Sequence, residues 1–181
     1  MSKSMLQPDE PCIDEYSHDA LCRKSLVFAV QLLGNQPDAE DVVQASIEKA
    51  LSHPKAPKGG VDLQKWLYRV VRNASIDHLR KQSRQTSLED NVGSEPVGVA
   101  SSNPEKQLEA ERIRKKLTAA LNSLPLHHRE LVVLRDYHGH SYDDIADILA
   151  IAKGTVMSRL HRARLALREA LSDTQLERGA E

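Results

Sequence analysis

Apolar side chains recur at intervals of three and four residues along most of this chain, and that spacing places them on one face of an α-helix. The interval holds in four segments on either side of the middle of the chain, at residues 26–33, 38–51, 66–81 and 105–123. No strand-like alternation of useful length occurs in the sequence. The pattern therefore predicts an all-α protein.

A connector divides the predicted helices into two groups. Residues 83–104 are rich in Ser, Gly, Pro and Asn and show no helical period, which is typical of a flexible linker. We therefore expect two small helical domains, at residues 1–82 and 105–181, joined by residues 83–104. A linker of this kind permits both compact and extended placements of the two domains.

Composition limits the class of protein and its compartment. Of the 181 residues, 40% are hydrophobic and 28% are charged, which predicts a folded, soluble chain. The longest apolar stretch, residues 26–33, is too short to cross a bilayer, and residues 1–14 lack the apolar core of a secretory signal. Cys12 and Cys22 cannot form a disulfide framework. We expect a cytoplasmic protein without membrane insertion.

The net charge of −1 conceals two cationic stripes. Residues 153–168 contain five Lys or Arg side chains and no acid, and residues 65–81 contain five against Asp77 alone. Acidic residues are concentrated elsewhere, within 38–41 and 89–95. Because salt screens each block from the others, the segregation indicates surfaces for different partners.

Residues 141–168 have the pattern of a helix-turn-helix. Ser141 can cap the first helix, and Asp144 stands at the third position, where an acid completes a capping box. A short break at residues 150–154 leads into a second helix that starts near Thr155. This arrangement predicts a helix that binds in the major groove of DNA.

The second helix sorts into two faces at 100° per residue. One arc is apolar and should be buried, at Val156, Leu160, Ala163 and Leu167. Four side chains on the opposite arc are candidates to contact base edges, namely Met157, Ser158, His161 and Arg162. Candidates for phosphate contact stand at the start and flanks of this helix, at Lys153, Thr155, Arg159 and Arg164. A solvated basic helix is the alternative, but the absence of acid favours DNA binding.

Four motifs, taken in their order along the chain, resemble those of the extracytoplasmic-function (ECF) RNA polymerase sigma factors of the sigma-70 family. Residues 154–164 and the preceding residues 124–146 are similar to region four of that family. Residues 38–44 resemble the region-two helix that docks on polymerase, and residues 66–80 resemble the promoter-melting and minus-ten segment. The resemblance covers roughly residues 20–82 and 105–171.

The resemblance implies an alternative sigma factor that binds core RNA polymerase, directs it to promoters and assists promoter opening. Region two, at residues 1–82, would bind the clamp helices of the polymerase. Region four, at residues 105–181, would bind the flap and read the minus-thirty-five element. Promoter DNA and an anti-sigma factor are the other expected partners. The sequence contains no Gly-rich phosphate loop, nucleophile elbow or catalytic carboxylate pair, so we expect no enzymatic activity, no cofactor and no metal.

Site residues in region two follow from the same resemblance. The polymerase-binding candidates form an acidic and amide cluster, at Asp38, Glu40, Asp41 and Gln44. The minus-ten candidates combine aromatic, basic and amide groups, at Trp66, Tyr68, Arg69, Arg72, Asn73 and Arg80. Asn73 is expected in a loop between two helices. The helix dipole alone can explain Asp38, and core packing can explain Trp66.

Other interpretations stay open on the sequence alone. A stand-alone helix-turn-helix regulator would bind DNA without polymerase, but it leaves residues 38–44 and 66–80 unexplained. A degenerate paralogue that only sequesters a partner is the second alternative. The spacing of Cys12, His18 and Cys22 matches no strong zinc pattern. Four histidines near helix ends are expected on the surface, namely His127, His128, His138 and His140.

Overall fold

Seven α-helices and one π-helical turn form the part of the chain that the structure describes. The computed structural model describes residues 17–85 and 104–176, and no strand occurs within these two ranges. The elements are α1 (His18–Leu33), α2 (Gln36–Ser52), α3 (Gly60–Gln85), α4 (Pro104–Ser123), α5 (Leu126–Val132), the π-helical turn (Val133–Tyr137), α6 (Tyr142–Leu149) and α7 (Lys153–Leu176). The all-α prediction is confirmed.

The junction between α1 and α2 is fixed by a glycine and an amide cap. Gly34 ends α1 with a φ of 80°, a left-handed conformation that glycine adopts without a Cβ clash. The side chain of Asn35 then accepts a hydrogen bond from the amide of Asp38 at 2.9 Å. Helix α2 therefore begins at Gln36, slightly before the predicted start at Asp38.

Helices α1, α2 and α3 pack as one three-helix bundle, which we call the first bundle. Its buried apolar side chains include Leu21, Phe28, Leu32, Val43, Leu67 and Val71. Leu26, Val30 and Leu33, which the sequence placed on the apolar face of α1, are only partly buried beside this core. The helix is therefore rotated relative to the predicted stripe.

Helix α3 runs without interruption from Gly60 to Gln85. The prediction that Asn73 lies in a loop between two helices is therefore wrong, because Asn73 is in the middle of α3 with an exposed side chain. Two residues later, the Ser75 hydroxyl donates to the Val71 carbonyl at 2.8 Å, which satisfies a buried polar group inside the helix. The helix also extends into the first residues of the predicted connector, and residues 86–103 lie outside the described ranges.

Helices α4 to α7 form the second bundle, which contains the helix-turn-helix. The predicted capping box is present, since Ser141 and Asp144 bond each other's backbone amides at the start of α6. Ala150 ends α6 in the left-handed conformation with a φ of 53°. Helix α7 follows, and three residues of its predicted inner face, Val156, Leu160 and Ala163, are buried, whereas Leu167 is partly buried.

The two bundles contact each other directly. Helix α3 packs against α6, and α1 approaches α4, α5 and the π-helical turn. The Arg129 guanidinium on α5 reaches into the first bundle and donates to the Leu32 carbonyl at 2.9 Å. The sequence left the placement of the domains open, and the structure has the compact one.

Within the two ranges that the structure describes, no helix has the length and apolar character needed to cross a membrane.

Candidate nucleic-acid interfaces

The outer side of α7 is open to solvent over the segment that the sequence predicts to contact DNA. Met157 is 53% exposed, and the polar and basic neighbours on the same side are exposed as well. We call this surface the recognition face, formed by Met157, Ser158, Arg159, His161, Arg162 and Arg164. Thr155, at its edge, is half-buried, and its amide donates to the Ala152 carbonyl at 2.9 Å.

The cations of the recognition face fall into two kinds. Arg164 donates to the Asp136 carboxylate, from Nε to Oδ2 at 3.0 Å, and this hydrogen bond raises the pKa of Arg164. Arg159 and Arg162 pair with no acid among the described side chains. Burial lowers the pKa of the nearby His128, and the positive charges of His127, Arg162 and Arg159 lower it further. The centre of this face is therefore electropositive and has cations available for phosphate.

Lys153, at the start of α7, forms an ion pair with Asp143 of α6 at 2.8 Å. Both side chains are more than half exposed, and an exposed pair of this kind contributes only about 0–1 kcal/mol. A DNA phosphate could therefore replace Asp143 at little cost.

The basic and aromatic stripe of α3 has the opposite environment, because the second bundle covers much of it. Tyr68 is 1% exposed, and its hydroxyl lies 2.9 Å from Nδ1 of His138. Its ring packs edge-on against Phe28 and His140, with centroid distances of 5.0 and 4.7 Å. Burial raises the pKa of Tyr68 well above its usual value. In this arrangement Tyr68 cannot stack on a base.

Two arginines of the same stripe also bind the second bundle. Arg72 makes a two-pronged contact with Glu130 of α5, with Nε to Oε2 at 2.6 Å and Nη2 to Oε1 at 3.1 Å. Arg69 donates to the backbone carbonyl of Asp147 at the end of α6. Lys65, which the sequence did not single out, lies 3.0 Å from the Asp147 carboxylate. Contacts between the bundles therefore occupy part of the predicted minus-ten site.

The remaining minus-ten candidates lie outside this contact. Trp66 is half-buried against the core, and its ring centroid is 5.7 Å from that of His53, which agrees with the core-packing alternative. Asn73 is exposed and accepts from Nη1 of Arg72 at 3.4 Å. Arg80 is exposed and lies 3.7 Å from Asp77. The structure thus separates the six candidates into a covered group and an open group.

The acidic cluster of α2 also divides into an internal and an outward part. Asp38 accepts from the Asn35 amide group at 2.6 Å and from Nε2 of His78 at 3.1 Å, so it ties α2 to α3. Glu40, Asp41 and Gln44 are exposed. The alternative of a structural role for Asp38 therefore has direct support, and the outward surface consists of the other three residues.

The expectation that four histidines near helix ends lie on the surface is wrong for His138 and His140. His140 is buried and His138 is half-buried, because both lie against Phe28 or Tyr68 of the first bundle. His127 is exposed, as expected, and His128 is half-buried with a buried Nδ1. The sequence carried no signal for this burial, since the covering residues belong to the other domain. Glu130 and Asp147, which receive the α3 cations, were missed for the same reason.

The described residues contain no metal centre. Cys22 Sγ lies 3.6 Å from Nδ1 of His18, and burial raises the pKa of the thiol. No group of three or more potential ligands is assembled within the described ranges. Cys12 lies outside those ranges.

Comparisons with known proteins agree with this geometry. Residues 23–85 match the family described as Sigma-70 region 2, and residues 114–167 match Sigma-70, region 4. The ECF RNA polymerase sigma factor SigE of Mycolicibacterium smegmatis is 36% identical over 147 residues, which are 80% of this chain and 56% of SigE. EcfG of Rhodopseudomonas palustris is 37% identical over 138 residues, covering 76% of this chain and 73% of EcfG.

Solved structures extend the similarity to the fold. The sigma factor RpoE of Bartonella quintana, in complex with the anti-sigma factor NepR, superposes with a TM-score of 0.66 at 32% identity, over 84% of this chain and 92% of RpoE. CnrH, in complex with the cytosolic domain of CnrY, has a TM-score of 0.54 at 23% identity, over 87% of this chain and 90% of that chain, and shows the fold alone. The chain belongs to the ECF RNA polymerase sigma factors of the sigma-70 family, which are transcription initiation factors.

Proposed function

We propose that this protein acts in the cytoplasm as an alternative sigma factor, without catalytic activity of its own. It binds core RNA polymerase, directs it to a set of promoters and assists opening of the duplex. The observation that supports this most strongly is the open, cationic recognition face of α7, held by a capped helix-turn-helix on the same chain as a region-two bundle.

In this proposal the recognition face reads the minus-thirty-five element. Side chains near the start of the recognition helix approach base edges, and flanking cations bind phosphates. Met157 presents an apolar thioether side chain, which suits contact with a thymine methyl group better than a hydrogen bond to guanine. Arg162 is the exposed cation placed to donate to a guanine.

The first bundle supplies the other two contacts. Glu40, Asp41 and Gln44 offer an outward negative and amide surface to the clamp helices of polymerase, while the flap binds the second bundle. Asn73 and Arg80 are accessible for minus-ten DNA, and Trp66 offers only the exposed part of a half-buried ring. Tyr68, Arg69 and Arg72 join them once the bundles separate. An anti-sigma factor is a further expected partner, since RpoE of Bartonella quintana was solved with one.

Transcription with core polymerase on a library of genomic fragments, followed by mapping of start sites, tests the proposal. We expect initiation at a recurrent promoter sequence, and about a tenfold or greater loss with Arg162→Ala, because one base-contacting arginine contributes about 1–3 kcal/mol. Arg168→Ala is the matched control, since it removes an exposed arginine from a later turn of the same helix.

Two results would contradict the proposal. If the protein activates no promoter with any core enzyme, it is not a working sigma factor. If it binds one duplex tightly and specifically without core enzyme, the stand-alone helix-turn-helix regulator becomes the better description.

A further inference from the structure

The contact between the two bundles involves residues of α3 that we assign to minus-ten DNA, because it buries Tyr68 and binds Arg69 and Arg72. We call this contact the closure interface, formed by Lys65, Tyr68, Arg69 and Arg72 of α3 against Glu130, His138, His140, Asp144 and Asp147 of the second bundle. Tyr68, Arg69 and Arg72 are three of the residues proposed to handle minus-ten DNA. Since a side chain cannot bind Glu130 and a phosphate together, closure and DNA binding by these groups exclude each other.

The strongest polar contact of the closure interface is the pair between Arg72 and Glu130. Glu130 is 4% exposed, and both of its carboxylate oxygens accept from the guanidinium. A two-pronged arginine–carboxylate contact fixes orientation as well as distance. Because Arg72 of the first bundle is the cation that binds this buried carboxylate, the pair favours the closed form.

The apolar centre of the interface contains two imidazole rings. Phe28 and Tyr68 of the first bundle pack edge-on against His138, with centroid distances of 5.7 and 5.3 Å. Nε2 of His138 and Nε2 of His140 are buried and have no hydrogen-bond partner among the described residues. Both nitrogens of a protonated ring are donors, so protonation would bury a positive charge together with an Nε2–H group that has no acceptor.

The charged groups around these rings also disfavour protonation on balance. His138 faces Lys24 of α1, Tyr68 of α3, Tyr137 of the π-helical turn and His140. His140 faces Lys24, Lys65 of α3 and Tyr68, and the one carboxylate that acts on it is Asp144 of α6. Burial is the largest effect at both rings, and it lowers the pKa of His138 to about 3 and also lowers the pKa of His140.

We propose that this protein inhibits itself by closing its second bundle over the minus-ten face of α3, and that protonation of His138 and His140 opens it. The proposal rests on the proposed function, because it assigns the covered residues to promoter DNA. The ligand of the switch is the proton, and the output is exposure of Tyr68 together with release of Arg69 and Arg72 from their partners in the second bundle.

The direction of the pH effect follows from the two states of His138. In the open form the ring is hydrated and its pKa returns to about 6.5, whereas in the closed form it stays low. Closure is therefore strongest above about pH 6.5 and weakens as the pH falls below that value. For His138 alone, the ratio of open to closed protein should rise about tenfold between about pH 7.5 and about pH 5.5. His140 adds to this change.

Energy transfer between two dyes measures closure in the full chain. The dyes are attached through Ala45→Cys on α2 and Glu169→Cys on α7, both exposed positions, with Cys12→Ser and Cys22→Ser removing the native thiols. We expect high transfer at about pH 7.5 that decreases toward about pH 5.5, while circular dichroism stays constant. The double variant His138→Gln/His140→Gln should lose the pH dependence, because glutamine cannot take up the proton.

Two further variants separate the parts of the proposal. His18→Gln/His127→Gln removes two exposed histidines and should leave the pH dependence unchanged. Glu130→Gln keeps both histidines but removes the charge that Arg72 binds, so it should raise the open fraction about tenfold at about pH 7.5 and remain responsive to acid.

Low energy transfer at every pH, or a pH response that survives in His138→Gln/His140→Gln, would overturn the inference. Transcription with core polymerase is scored in parallel on the unlabelled protein. If transcription succeeds and closure is absent, the inference fails and the proposed function stands. If closure and its pH response are present but transcription fails on every promoter, the proposed function fails instead.

Discussion

The two cationic stripes of this protein share a composition but differ in their surroundings. On α7, the recognition face points to solvent, and Arg159 and Arg162 have no acidic partner among the described side chains. On α3, Arg72 is held by a buried carboxylate, and Tyr68 lies under the second bundle. A basic stripe in a sequence therefore indicates a potential DNA surface, and only packing decides whether that surface is accessible.

Removing an arginine from each stripe should show this difference most strongly. Arg72→Ala leaves the buried Glu130 carboxylate without its cation, and breaking a buried ion pair costs about 3–5 kcal/mol of stability. This cost cannot exceed the free energy of separating the two bundles. Arg164→Ala breaks a half-exposed pair with Asp136 and should cost about 0–1 kcal/mol. Urea unfolding, monitored together with energy transfer between the bundles, measures both. Equal effects for the two variants would mean that the Arg72 pair is hydrated in solution.

Truncating the covered tyrosine by one atom should have a smaller effect. Tyr68→Phe keeps the ring contacts with Phe28 and His140 but removes the hydroxyl that bonds His138. The loss of one buried hydrogen bond should cost about 0.5–1.5 kcal/mol of closure free energy. Tyr137→Phe is the control, since that ring is largely exposed. No difference between the two variants would show that the bond from Tyr68 to His138 does not contribute to closure.

A change at the capping box should lower the stability of the second bundle by a smaller amount. Ser141→Ala removes the hydroxyl that accepts from the Asp144 amide, and we expect a loss of about 1 kcal/mol in the stability of the second bundle. Thermal unfolding measures the loss. Ser158→Ala, whose hydroxyl is exposed on α7, should leave stability within about 0.5 kcal/mol of the parent protein.

The smallest expected effects distinguish phosphate contact from base contact on the recognition face. Arg159→Ala should lower the salt dependence of promoter binding by about one unit of slope, because one phosphate contact is lost. Met157→Ala should keep that slope and change the preference at one base pair. Titrations of the polymerase complex at several salt concentrations, on promoter variants, measure both. A Met157→Ala protein with unchanged sequence preference would remove the thymine-methyl assignment.

What the sequence predicted correctly depends on short-range geometry. The two faces of α7 follow from the angle between successive residues of one helix, and Val156 and Leu160 are buried as that angle requires. The capping box of Ser141 and Asp144 likewise involves residues three apart. Neither feature needs information about distant parts of the chain.

What it missed arises from contacts between residues far apart in the chain. His138 and His140 look like surface residues in a turn, and they are covered only because α1 and α3 pack against that turn. The loop expected at Asn73 came from the family resemblance, whereas the buried neighbours Val71 and Ser75 on either side keep α3 helical at this position. The placement of the two bundles likewise depends on contacts between residues far apart in the chain.

The arginine in the middle of α5 gives this arrangement a measurable consequence within α1. Arg129 donates to the Asn122 and Leu124 carbonyls of its own bundle at 2.6 and 3.3 Å, and to the Leu32 carbonyl near the end of α1. The final turn of α1 therefore has one of its carbonyl groups satisfied by the neighbouring bundle. When the bundles part, that carbonyl must turn to water, so fraying of the last turn of α1 should accompany every separation.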